Sequence, residues 1–163
     1  MPTRRSWREK LADDKGLPKV VTIGPKMRKR WGEGTCAIPA PREVDAIMKK
    51  VPRGKLVTIN EIRTTVAMRH RADVGCPITC GIFAWIAANA AEESAVQGRN
   101  RGLTPYWRTL KSNGELNAKY PGGINRLRRL LKAEGHRVVS RGKRAFVTDY
   151  EKRLVRADQR AGL

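Results

Sequence analysis

Between residues 103 and 123 the chain reads LTPYWRTLKSNGELNAKYPGG, which sets Tyr106, Trp107 and Arg108 after Pro105 and Tyr120 ahead of Gly122 and Gly123. Aromatic faces stack on planar groups and a guanidinium donates to anions. A phenol with a pKa near 10 is a poor nucleophile, and an indole is no general base. The side chains with nucleophilic or metal-binding chemistry lie elsewhere: Cys36, Cys76, Cys80, His70 and His136. A zinc site needs about four ligands. Cys76 and Cys80 are four apart but Cys36 is remote, so neither metal nor other cofactor is expected. A thiol at a helix N-terminus has a lowered pKa, which leaves Cys76 or Cys80 open as a nucleophile.

Length and charge bound what these groups serve. The 163 residues suffice for one core. The formal charge of +20, from 35 Lys plus Arg against 15 Asp plus Glu, favours a polyanionic partner. Nucleic acid is the expected partner, because no apolar run approaches the roughly 20 residues of a membrane span. The start MPTRRSWREK lacks the apolar segment of a signal peptide. An odd number of cysteines fits free thiols in a reducing compartment. The expected location is therefore cytoplasmic, associated with the nucleoid.

The elements that must position the loop follow from the pattern. Residues 1–40 hold scattered glycines and prolines and one short strand candidate, KVVTI, and read as a basic, partly ordered arm that docks through Trp7 and Trp31. PAPREVDAIMKKVP reads as a helix with Val44, Ile47 and Met48 on one face. Thr58 or Asn60 can cap a second helix carrying Ile59, Ile62 and Val66 inward. Pro77 can open a long alanine-rich helix that stops at Gly98. These last two predict a helix-turn-helix, although any two adjacent core helices share the pattern. INRLRRLLKAEGH is a basic amphipathic helix, and HRVVSRGKRAFVTDY a hairpin turning at Arg141-Gly142. Its cations Arg141, Lys143 and Arg144 either contact phosphate as a wing or only solvate an edge.

Four short stretches carry a resemblance. VPRGKLVTINEIRTTVA resembles the start of the DNA-binding domain of O6-alkylguanine-DNA alkyltransferases. PYWRTL stands where that family has its Pro-Cys-His-Arg-Val motif, KYPGG matches its Tyr-x-Gly-Gly loop, and LLKAEGH its closing Leu-Leu-x-x-Glu-Gly helix. The match runs in order over roughly residues 42–136. It implies an α+β fold: a winged helix-turn-helix alkyltransferase-like DNA-binding domain over 41–150, with a C-terminal hairpin, the basic arm before it and a basic tail over 151–163. The resemblance implies a base pocket built from Tyr106, Trp107, Arg108, Tyr120, Glu134 and, loosely, Asn89. Thr58, Asn60, Thr79, Gly81, Arg69, Arg71 and the three hairpin cations would face DNA.

Departures from the family decide the expected activity. The acceptor cysteine is replaced by Tyr106 and the activating histidine by Trp107, so direct alkyl transfer should be lost. The chain is similar to the alkyltransferase-like branch, which binds O6-alkylguanine without repairing it and hands it to nucleotide excision repair proteins. Stacking on Tyr106 or Trp107 returns about 1–3 kcal/mol per base; alternatively both aromatics fill the vacated pocket as core. The intercalating arginine falls at Gly81 and the phosphate-rotating tyrosine at Ile59. Flipping a base therefore needs a substitute such as Arg69, Arg71 or Phe83. Three readings stay open: a non-enzymatic lesion sensor, a general binder of double-stranded nucleic acid, and a transferase with a displaced cysteine.

Overall fold

The computed structural model describes residues 3–156. Its helices are α1 (Trp7–Ala12), α2 (Arg28–Trp31), α3 (Pro41–Lys49), α4 (Ile59–Arg69), α5 (Pro77–Val96) and α6 (Gly123–Ala133). Its strands are β1 (Lys19–Thr22), β2 (Thr35–Ile38), β3 (Val57–Thr58), β4 (Val74–Gly75), β5 (Thr109–Leu110), β6 (Val138–Arg141) and β7 (Arg144–Val147). Short 3-10 turns cover Tyr106–Arg108 and Tyr150–Arg153. The chain is thus α+β with three small sheets among the described residues.

Helix α5 organises the core. Cys80, Phe83, Ala84, Ile86, Ala87, Ala88, Ala90 and Ala91 are all buried, which leaves little of the helix for solvent beyond one narrow stripe. Pro77 opens it, with Cys76 as N-cap, its sulfur accepting from the Thr79 N–H. The alanines let neighbouring backbones come close, and α1, α3 and α4 all pack on it. Its end falls at Val96, two residues before the expected stop at Gly98.

α3 contributes Val44, Ile47 and Met48 to this core, each fully buried. Thr58 caps α4: its hydroxyl accepts from the Asn60 N–H, and Glu61 reaches back to the Thr58 N–H. Between α4 and α5, β4 pairs in parallel with β2. Gly75 sits against the α4 backbone, where a Cβ would collide with the carbonyl oxygen of Arg63. Only glycine allows that approach, which fixes the angle at which α5 leaves the turn.

The stretch expected as an arm is a correction. Residues 19–22 and 35–38 form antiparallel β1 and β2, and β2 pairs with β4, so the sheet crosses the expected boundary at residue 40. Trp31 packs beside Ile23, Cys36 and Cys76 in a second small cluster. α1 docks on α5: the N–H groups of Trp7 and Arg8 donate to Glu93 at 3.0 and 3.2 Å. A carboxylate there also meets the positive end of the short helix. Trp7 meets Trp85 edge to face at 4.7 Å. The stretch failed to read as structured because its burial comes from pairing across the chain rather than from local periodicity.

The expected tail also starts later. Leu56 bridges Leu154, and Val155 is buried in the core; residues 157–163 lie outside those described. β6 and β7 form the expected hairpin, with its turn at Gly142-Lys143. The chain around Glu115 extends it, since the Leu116 N–H donates to Ala145 and the Val147 N–H to Gly114.

Candidate base pocket and nucleic-acid surface

Pairing of β3 with β5 places the 3-10 turn Tyr106–Arg108 beside the start of α4. The turn packs against α3, α5 and α6. α6 ends at Ala133, so Glu134 is its C-cap and points its carboxylate at the turn. Arg108 grips that carboxylate with its guanidinium fork, Nε at 3.0 and 3.1 Å and Nη2 at 2.6 Å from the oxygens. Its Nη1 donates to the Val51 carbonyl at 2.7 Å. The Trp107 indole N–H donates to the same Glu134 oxygen at 3.1 Å. Burial alone would raise the Glu134 pKa, but the donors Arg108 and Trp107 hold it below its ordinary 4.5.

Tyr106 is 3% exposed and meets Trp107 at 5.5 Å and Tyr120 at 6.0 Å, both edge to face. Burial raises its pKa above 10, with Arg126 opposing and Glu92 reinforcing the shift. The Tyr106 hydroxyl is buried without a hydrogen bond of regular geometry. Beside it, Glu92 of α5 and Arg126 of α6 pair at 2.9 Å. Neither residue was singled out from the sequence: Glu92 was one acid late in an alanine-rich helix, and Arg126 one cation among many.

An unsatisfied buried hydroxyl costs about 1–3 kcal/mol. Tyr106→Phe should therefore raise the unfolding free energy by about 1 kcal/mol, measured by urea denaturation. A loss of stability instead would show that the hydroxyl is satisfied in solution.

Of the expected pocket residues, Tyr106, Trp107, Arg108, Tyr120 and Glu134 form one contiguous group. Asn89 does not extend it, because its amide donates to the Trp85 carbonyl of its own helix. Among the residues expected to face DNA, Thr58 is corrected: it is buried and occupied as the α4 cap. Phe83, considered as a flipping substitute, is buried and unavailable. Arg144 is tied to Glu115 at 2.6 Å and so is already paired. Asn60, Arg69, Arg71, Arg141 and Lys143 are exposed, and Gly81 lies half-buried with open space above its Cα. Thr79 is half-buried with its hydroxyl unpartnered.

Burial disfavours the thiolates of Cys36 and Cys80. Cys80 is fully buried and its pKa is pushed up to about 12, first by burial and then by nearby Cys76. Cys36 is pushed up to about 11 for the same reasons. Desolvation outweighs the helix end here, which corrects the expectation of a lowered thiol pKa for Cys80.

This arrangement of helix pair, turn, closing helix and hairpin has a likeness among solved structures. It is similar to the structure of S. pombe Atl1 in complex with damaged DNA containing O6-carboxymethylguanine, with a TM-score of 0.51 and 16% identity. The similarity covers 71% of this chain and 94% of that one. No protein-family model and no curated protein matches the sequence. At this identity the likeness establishes the fold.

Proposed function

We propose that this protein binds double-stranded DNA and recognises O6-alkylguanine without accepting the alkyl group. The observation that carries it is the state of the acceptor site. A buried phenol stands there, and the carboxylate that would activate a neighbour is closed by Trp107 and Arg108. Nothing at that position accepts an alkyl group at neutral pH. The unpartnered Tyr106 hydroxyl supports recognition, because a buried hydroxyl without a partner is a group available to an entering base. The likeness to a protein solved on alkylated DNA, and the charge of +20, support the choice of duplex DNA as ligand.

A second reading, general duplex binding without lesion preference, is favoured by the packing of Tyr106 and Tyr120, each 3% exposed. A base entering that space must displace or rotate one of them.

Competition between O6-methylguanine duplex and an otherwise identical guanine duplex, followed by intact mass of the protein, decides between them. A preference of at least tenfold, about 1.4 kcal/mol, with unchanged mass is the expected result. Equal affinities would leave the second reading standing. A mass gain of one methyl group would overturn both.

A further inference from the structure

The chain leaving α6 and the chain leaving the hairpin enclose a cavity of about 240 Å3, several times the roughly 30 Å3 share of one water. His136 and Arg137 line it from the first segment, Thr148, Asp149, Lys152 and Arg153 from the second. The backbone fixes this wall at both ends. The Thr148 N–H donates to the Arg137 carbonyl at 2.8 Å, and the Arg153 carbonyl accepts from the Leu56 N–H at 2.9 Å. None of the aromatic-pocket residues lines it.

Two observations at this cavity point to an anion. The first is His136, which is 6% exposed and whose Nε2 is buried without a hydrogen-bond partner. A buried polar atom left unpaired destabilises the fold, so its persistence here asks for a bound group. Burial holds the His136 pKa below the ordinary 6.5, with Glu134 opposing and Arg153 and Arg108 reinforcing the shift. At neutral pH the ring is therefore uncharged, and such an imidazole still donates from one nitrogen.

The second observation is charge. Arg137, Lys152 and Arg153 are exposed and, among the described residues, in no ion pair. One lining carboxylate, Asp149, stands against these three cations, which leaves a surplus of two positive charges. A phosphate monoester carries about −1.5 to −2 at neutral pH and presents three acceptor oxygens. It balances that surplus, and guanidinium forks match its geometry. A diester, with one charge, does so only by half.

We propose that this cavity binds a phosphate monoester, with His136 Nε2 as the buried donor and Arg137, Lys152 and Arg153 as the surrounding cations. Free phosphate, a nucleotide and a phosphorylated DNA end share that chemistry. The site does not depend on recognition of a modified base, so it stands or falls apart from the function proposed above.

The test titrates the full chain with inorganic phosphate, at ionic strength held by chloride, and follows the imidazoles by NMR. The His136 resonance should shift saturably while His70, paired with Glu43, serves as the reference. Lys152→Ala and Arg137→Ala change exposed side chains and should leave folding intact. Each should weaken phosphate binding by about tenfold, the value of one charge-assisted hydrogen bond. Two further titrants distinguish the sources. Tenfold tighter binding of adenosine monophosphate assigns the site to a nucleotide, and tenfold tighter binding of a terminally phosphorylated duplex assigns it to a DNA end. Phosphate that binds as well as either assigns it to the free ion. A His136 resonance that none of these titrants moves, or that chloride moves equally, overturns the site. A shift that both variants leave unchanged overturns it too. A hydroxyl-ended duplex that moves His136 as far as the phosphorylated one also overturns it, because the cations then serve the diester backbone.

Discussion

Arg108→Ala should lower the unfolding free energy by about 3–5 kcal/mol in chemical denaturation, the cost of removing one partner from a buried ion pair. The Glu134 side chain is 2% exposed and the Arg108 side chain 14%. With the guanidinium gone, the carboxylate loses three of the donor contacts that hold it and keeps the Trp107 indole. Lysine is no substitute, since a single ammonium cannot span both oxygens and also reach the Val51 carbonyl. The same pair sets an acid limb. The folded pKa of Glu134 lies below its ordinary 4.5, so the unfolded chain binds the proton first as pH falls. Its contribution is fully present above the unfolded value and is lost as pH drops through the folded one. In Arg108→Ala the burial that opposes ionisation is countered only by the Trp107 indole and the Gly54 backbone, so this limb should move to higher pH. A loss under about 1 kcal/mol would mean that the fork is not a structural bond in solution.

Raising salt from 50 to 200 mM should weaken binding of plain duplex by about a thousandfold, the loss expected for roughly six phosphate contacts. Arg69, Arg71, Arg141 and Lys143 are exposed cations placed to supply part of that set. Arg144 is expected to add less than its neighbours, because Glu115 already pairs with it. Removing Arg71 or Lys143 should therefore reduce the slope of log K against log salt by about one each, and removing Arg144 by less. The readout is a salt titration by fluorescence anisotropy. A slope near zero would exclude phosphate contact as the main source of affinity.

Residues bearing strong local signals were legible without tertiary information. Pro77 marked the start of α5, Thr58 or Asn60 the cap of α4, of which the fold uses Thr58, and Gly142 the hairpin turn, because each acts through backbone conformation within a few residues. Tyr106 and Trp107 were equally plain, and neither a phenol nor an indole is an effective nucleophile or general base at neutral pH.

Other features depend on partners far along the chain. The first forty residues became sheet and docked helix because β2 finds β4, and because Trp7 finds Trp85 and Glu93. Trp107 and Arg108 closed on Glu134 across 27 and 26 residues, and Tyr106 met the Glu92–Arg126 pair. Burial reversed the expected shift of the Cys80 thiol. The sequence by itself determined the charge, the helix starts and the missing nucleophile, since these follow from residue type and short-range geometry. Only the tertiary structure decided which side chains share the pocket, which cations are already paired, and that the Nε2 of His136 is buried without a partner. Burial and pairing are properties of the packed chain, not of any window along it.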